Sequence, residues 1–210
     1  MSLRATFDIS LGTPSGRLLE EIDATVWEQL LLATRMPRHP WLYSAFCTLE
    51  IDSPQSRVVV LRSVDRDQRV IRFFTDLRSP KIQNILENPK ISWLLFDATS
   101  LIQVRLQGEA TIASDRQMLD ACWESVDAVS RRNYMGLQPP SSSCNLPSAN
   151  LSPEFVVRVP TLEETEPAIE NFAVVETVIH SMEWLYLKPS GHLRMSARYW
   201  PHHELTWLEP

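Results

Sequence analysis

Glycine is scarce in this chain, with five residues in 210. So few cannot supply the glycine-rich turns that hold phosphates in Walker or dinucleotide folds, and neither fingerprint occurs. A Gly-x-Ser-x-Gly nucleophile elbow is absent too. Cysteine is equally thin. Cys47, Cys122 and Cys144 are odd in number, far apart and without a Cys-x-x-Cys pair. That excludes a disulfide framework or a zinc knuckle and suits a reduced, cytoplasmic protein. His180, His192, His202 and His203 form no His-x-x-x-His pair, so no metal site is expected. No apolar run reaches the ~18 residues of a membrane span, and no basic stretch leads into an apolar one at the start. Positive charge is not in excess either. A net charge of −6 offers no general attraction to nucleic acid or to anionic lipid.

What is present fits a globular protein read as a single domain over residues 1–210. After an irregular lead-in over 1–17, Leu19, Ile22, Val26 and Leu30 recur at helical spacing, and the pattern predicts a helix over about 17–34. Pro37 and Pro40 end it. Strands are predicted over 43–51, 57–64 and 70–75, the last two forming a hairpin across Arg66-Asp67-Gln68. Ser79-Pro80 opens a short helix that stops at Asn88-Pro89. Strands 91–96 and 101–112 follow. Arg57–Val64 and Ile91–Phe96 are nearly continuous apolar runs and read as strands buried on both faces. A helical insertion with a Pro/Ser-rich loop spans about 115–170, followed by strands over 173–187, 193–199 and 205–208. Strands joined mostly by short turns, with single helices between them, favour an antiparallel barrel of mainly β, α+β class over a parallel βαβ sheet.

Several residues could carry chemistry. Arg57 opens an apolar strand as either a solvated end or a phosphate clamp, since guanidinium grips phosphate oxygens in a fork. Arg62 closes the same run, five residues on and so on the opposite face of a regular strand. Ser79-Pro80-Lys81 places a lysine in the first turn of a helix, where free amides favour an anion. Thr75 could offer a hydroxyl and Phe74 a ring, with turn chemistry and core packing as the plainer roles. Gln103, on the polar side of an alternating strand, has an amide that can read a heterocycle. Trp184 with Arg194, Ser196 and Arg198 could wall a flat anionic ligand, or form a core tryptophan beside a surface ladder.

Taken in order, Arg57-x-Val59-x-Leu61-Arg62, Phe73-Phe74-Thr75-Asp76, Ser79-x-Lys81, Asn88-Pro89, Gln103-Val104-Arg105 with Gly108-Glu109, and Trp184…Arg194-x-x-x-Arg198 resemble the pyridoxamine 5′-phosphate oxidase-like family of FMN-binding split barrels. The resemblance covers about 41–108 and 172–210 and is strongest to the oxidase-related branch. It implies a six-stranded split β-barrel, a homodimer and FMN at the subunit interface. By the same resemblance Arg57, Ser79 and Lys81 hold the FMN phosphate with Thr75 nearby. The backbone of Val59, Val60 and Leu61 edges the ring, which Arg62 approaches. Gln103, Trp184 and Arg198 reach the flavin from the partner subunit.

The sequence departs from the family lightly in the FMN site and more heavily where the vitamer would sit. Pro80 stands where the family has arginine, and Arg62 where it has lysine. The late Arg-x-His pair becomes Arg194-Met195-Ser196, leaving Arg194 and Ser196 as substrate candidates. The family's tyrosine, arginine and serine for a substrate phosphate have no clean counterparts, and Arg131, Arg132 and Tyr134 stand as candidates. The implied activity is hydride transfer from a small substrate to FMN with reoxidation by dioxygen. No residue is assigned a catalytic acid–base role. The alternatives are an NAD(P)H-dependent flavin reductase and a non-catalytic flavin- or haem-binding dimer.

Overall fold

A computed structural model describes residues 16–210, so the lead-in expected at the start lies almost wholly outside the described residues. Helix α1 (Gly16–Ala33) turns Leu19, Ile22, Val26 and Leu30 into the core, as their spacing requires. Strands β1 (Tyr43–Glu50), β2 (Ser53–Asp65) and β3 (Val70–Asp76) form an antiparallel meander, followed by helix α2 (Pro80–Glu87). Strands β4 (Lys90–Asp97) and β5 (Ile102–Ile112) pair next, and β4 also pairs with β1. Strand β6 (Phe172–Tyr186) then pairs with β5 on one side and with β3 on the other, closing six antiparallel strands into a barrel. Strands β7 (Leu193–Arg198) and β8 (Glu204–Leu208) continue the sheet from the far half of β6.

The barrel interior is aromatic. Phe46, Phe73 and Trp93 lie with ring centroids 4.7–5.6 Å apart in tilted and edge-on arrangements that suit their quadrupoles. Gly108 marks the tightest approach in the wall. The β5–β6 register shifts between Gln107 and Gly108, and a Cβ on Gly108 would lie 1.9 Å from the Val178 carbonyl oxygen. No larger residue fits that bulge without moving backbone.

Two strands differ from the expectation of burial on both faces. Val58 is 66% exposed on β2, and Leu94 and Phe96 are 40% and 44% exposed on β4. Both strands alternate, because the outer face of this part of the barrel carries no covering layer among the described residues. The insertion is also more broken than a helix over 115–134. It comprises α3 (Arg116–Glu124), α4 (Ala128–Arg131) and a 3₁₀ turn (Arg132–Tyr134), each of the first two capped by an aspartate, Asp115 and Asp127. Helix α5 (Pro153–Val157) escapes the sequence reading, whereas α6 (Leu162–Thr165) and the 3₁₀ turn after it fall near the helix expected around 161–168. The insertion packs Trp123 and Tyr134 against Phe172 at 5.2 and 5.1 Å, a small second core beside the barrel.

A polar clasp joins the two ends of the fold. The Tyr199 hydroxyl donates to Asp23 of α1 and accepts from Trp27 Nε1 at 3.0 Å. Arg69, held at φ 55° in the β2–β3 turn, covers the rings of Trp27 and Tyr199. Burial and the neighbouring Asp23 carboxylate push the Tyr199 phenol far above its usual range.

Candidate functional site

Arg57, Thr75, Ser79 and Lys81 come together at one mouth of the barrel. Register explains the first: Arg57 pairs with Phe46 and shares the inward face of Val59 and Leu61, but lies at the rim. Its Nη1 donates to Thr48 Oγ1 at 2.8 Å and reaches the Phe46 carbonyl at 3.4 Å. Asn84 of α2 donates to the same threonine oxygen at 3.1 Å. Lys81 Nζ donates to Thr75 Oγ1 at 2.9 Å and to Ser79 Oγ. Thr48 and Asn84 were not legible as site residues. Their roles depend on cross-strand register and on how α2 docks, and neither leaves a motif.

The electrostatics of this cluster are unusual. Burial, then the nearby Arg57 charge, lower the Lys81 ammonium to about 8, against a smaller opposing pull from Asp76. Burial also lowers Arg57. Asp76 is itself taken by Arg78, with Nη2 and Oδ2 2.7 Å apart. Neither Arg57 nor Lys81 has a carboxylate partner within salt-bridge distance among the described residues. Two cations crowded together without an anion are costly unless something negative joins them. The hydroxyls of Thr48, Thr75 and Ser79 accept these hydrogen bonds, so their own protons remain to be donated. Ser79 caps α2 by position (φ −70°, ψ 142°) without a side-chain hydrogen bond to the helix, and Pro80 occupies the first turn. The amides at that helix start strengthen the same potential.

The outer face of β2 presents a different surface. Val60, Leu61, Arg62 and Phe74 line an open cleft of about 460 Å³ together with the turn after α1 and residues of the insertion. Arg62 sits over the Phe74 ring at 5.5 Å. The β2–β3 register shifts between Leu61 and Ser63, so the bulge falls on Arg62 itself and leaves Arg57 and Arg62 on opposite faces.

The late cluster is elsewhere. Gln103 lies on β5, three strands from β2, or about 14 Å along the sheet. Arg194, Ser196 and Arg198 do share one face of β7, as their spacing predicts. Arg194 is engaged, however, because Glu183 sits 2.6 Å from it and 2.7 Å from Arg105. Arg198 pairs with Glu204 at 3.1 Å. Trp184 is wholly buried in the barrel core and has no surface to offer a ligand. The candidates for a substrate phosphate are committed to packing. Arg131 binds Glu166, the Val126 and Trp123 carbonyls and the Trp123 ring. Arg132 reaches the Phe155 carbonyl at 3.3 Å, and Tyr134 is buried in the small core with its phenol pushed up to about 12.

Residues 24–114, from within α1 through β5, match the family described as "Pyridoxamine 5′-phosphate oxidase, FMN-binding domain". Over this stretch the chain is similar to the pyridoxamine 5′-phosphate oxidase-like family. All the residues gathered at the barrel mouth lie within it. The split barrel is also that of a pyridoxamine 5′-phosphate oxidase-related, FMN binding protein from Nostoc punctiforme PCC 73102, at 20% identity and TM-score 0.68, covering 89% of this chain and 96% of that one. PhzG from Burkholderia lata 383, solved with tetrahydrophenazine-1-carboxylic acid, is similar at 19% identity and TM-score 0.63, covering 98% of this chain and all of the other. No curated protein matches the sequence. The described residues contain no helix long and apolar enough to cross a membrane and no group of His, Cys, Asp and Glu able to hold a metal.

Proposed function

We propose that the chain is an FMN-dependent oxidoreductase whose barrel mouth holds the cofactor phosphate. The observation that carries this reading is the Arg57–Lys81 pair, crowded, uncompensated by carboxylate and ringed by hydroxyls able to donate. A phosphate monoester satisfies each of these features at once. The residues therefore fit the group. Bound FMN would supply a two-electron centre that takes a hydride from a small substrate and is reoxidised by dioxygen. The residues here bind and orient it. Arg57 and Lys81 neutralise the phosphate, Thr75 and Ser79 donate to its oxygens, and the β2 backbone at Val59–Leu61 edges the ring.

The same reading calls for a homodimer. Val58, Tyr43, Leu94 and Phe96 form an apolar band on the outer face of β2, β1 and β4, adjoining Gln103. A second copy on this band would cover it and bring Gln103 and Arg198, strands away from Arg57 in one chain, to the partner's flavin. One experiment tests the cofactor. Purified protein is titrated with FMN and with riboflavin, which has the ring but no phosphate. A flavin spectrum perturbed by FMN at far lower concentration than by riboflavin supports the reading, and equal binding of the two defeats it. Bleaching of the bound flavin by NADPH without oxygen would favour a reductase instead.

A further inference from the structure

Thr48 and Asn84 are polar residues at positions that packing alone would give to apolar ones. Thr48 shares the inward face of β1 with Phe46. Phe46 stands opposite Arg57 and Gln55 opposite Thr48, so Thr48 and Arg57 are diagonal neighbours across the strand pair. Asn84 lies three residues beyond Lys81 and therefore on the same side of α2, with Ile82 and Ile85 buried beside it in sequence. Thr48 is 2% exposed and Asn84 4%, so neither relies on solvent for its hydrogen bonds. A buried amide inside a helix is unfavourable unless it is bonded, and Asn84 finds its partner in Thr48.

Thr48 Oγ1 has two lone pairs and one proton to place. Arg57 Nη1 takes one lone pair at 2.8 Å and Asn84 Nδ2 takes the other at 3.1 Å. A guanidinium only donates, so the first of these bonds can run in no other direction. The second leaves the proton without an acceptor among the described residues. A buried donor left unpaired is costly, and this one lies against the Arg57 guanidinium, where an anion would be gripped. Accepting from a cation also polarises the hydroxyl and strengthens it as a donor. We infer that Thr48 is a further ligand of the phosphate and that Asn84 is its positioning residue, a role that rests on the flavin reading for the identity of the anion. Asn84 fills the second lone pair and so turns the proton towards the oxygen that Arg57 holds. One turn of α2 then serves the anion twice, by the charge of Lys81 and through the hydroxyl that Asn84 orients.

Affinities for FMN and for riboflavin are measured on the parent, on Thr48→Val, Thr48→Ser and Asn84→Leu, and on the double variant Thr48→Val with Asn84→Leu. The ratio of the two isolates the phosphate. Thr48→Val should lower the preference for FMN about tenfold or more, as for loss of a charge-assisted hydrogen bond, and Thr48→Ser should keep it. Asn84→Leu should lower it too. The double variant should fall no further than Thr48→Val, because Asn84 acts through the hydroxyl. Thr48→Cys, with only a weak donor, carries the same expectation should Thr48→Val not fold. A structural role would weaken both flavins in step. That outcome, an unchanged ratio in Thr48→Val, or its loss in Thr48→Ser overturns the inference, and additive losses in the double variant overturn the role of Asn84. The parent and Thr48→Val are also titrated with inorganic phosphate by calorimetry. A parent without preference for FMN that binds inorganic phosphate through Thr48 would uphold the inference while defeating the flavin reading. A preference for FMN that survives both substitutions would do the reverse, and a parent that binds neither overturns both.

Discussion

Lys81 donates to Thr75 Oγ1 at 2.9 Å while burial, and after it the nearby Arg57 guanidinium, depress its ammonium. The two cations come from different elements, one from the second strand and one from the helix that follows the third. Their mutual repulsion is a store of affinity for an anion.

Removing one of them should therefore be felt by FMN and not by riboflavin. Arg57→Ala should weaken FMN by about 10- to 150-fold, the equivalent of roughly 1.5–3 kcal/mol for a charge-assisted hydrogen bond. Fluorescence titration reads this directly. A variant that binds FMN as well as the parent removes Arg57 from the phosphate site.

The depressed lysine also sets a pH dependence. Below about 8 Lys81 is already protonated and meets the phosphate as a cation. Above that value a proton must be taken up on binding, because the bound phosphate raises the lysine pKa. FMN affinity should then fall with rising pH, by up to about tenfold per unit. The phosphate itself, with a second pKa near ~6, stays dianionic throughout. Lys81→Arg keeps its charge and should flatten the profile between pH 7 and 9. A parent profile that is already flat would show that Lys81 does not touch the phosphate.

Gly108→Ala should destabilise the barrel, because its new methyl would fall 1.9 Å from the Val178 carbonyl oxygen. The backbone shift needed costs about 1–3 kcal/mol or more, as for overpacking elsewhere. A drop of several degrees in melting temperature is expected. An unchanged melting curve would mean that the β5–β6 bulge yields freely.

At the clasp, Tyr199→Phe removes the hydroxyl that joins Asp23 to Trp27 Nε1. It leaves Asp23, 6% exposed, without that donor. The cost should be about 1–3 kcal/mol in denaturant unfolding. The midpoint would not move if the clasp were only incidental contact.

Val58→Asp places a charge in the apolar band on the outer sheet face, where Val58 is 66% exposed in the single chain. It should yield monomers in sedimentation and lose flavin affinity together with them. If the parent sediments as a monomer, or the variant as a dimer, the band is not the subunit interface.

Much of the architecture could be read from periodicity and punctuation. The spacing of Leu19, Ile22, Val26 and Leu30 marked α1, Ser79-Pro80 marked the start of α2, and the alternation after Leu101 marked β5. Strand burial was misread on β2 and β4. Valine and leucine runs look the same in sequence whether the second face meets a helix, a partner or solvent. At the site, Arg57, Thr75, Ser79 and Lys81 were legible because each carries a charge or a hydroxyl at an element boundary. Thr48 and Asn84 were not, because only strand register brings them to Arg57.

Strand β6 pairs with β3 through Phe172–Val178 and with β5 through Val175–Tyr186. A nascent chain that has not yet reached Phe172 therefore has two unsatisfied strand edges, on β3 and on β5, for as long as the insertion between β5 and β6 is being made. Such edges invite pairing with other chains. Closure also joins segments separated by about a hundred residues, which slows it relative to the local hairpins. Truncation before residue 172 should produce insoluble material rather than a smaller barrel. The last strand to be synthesised into the ring is the one that makes the earlier five safe.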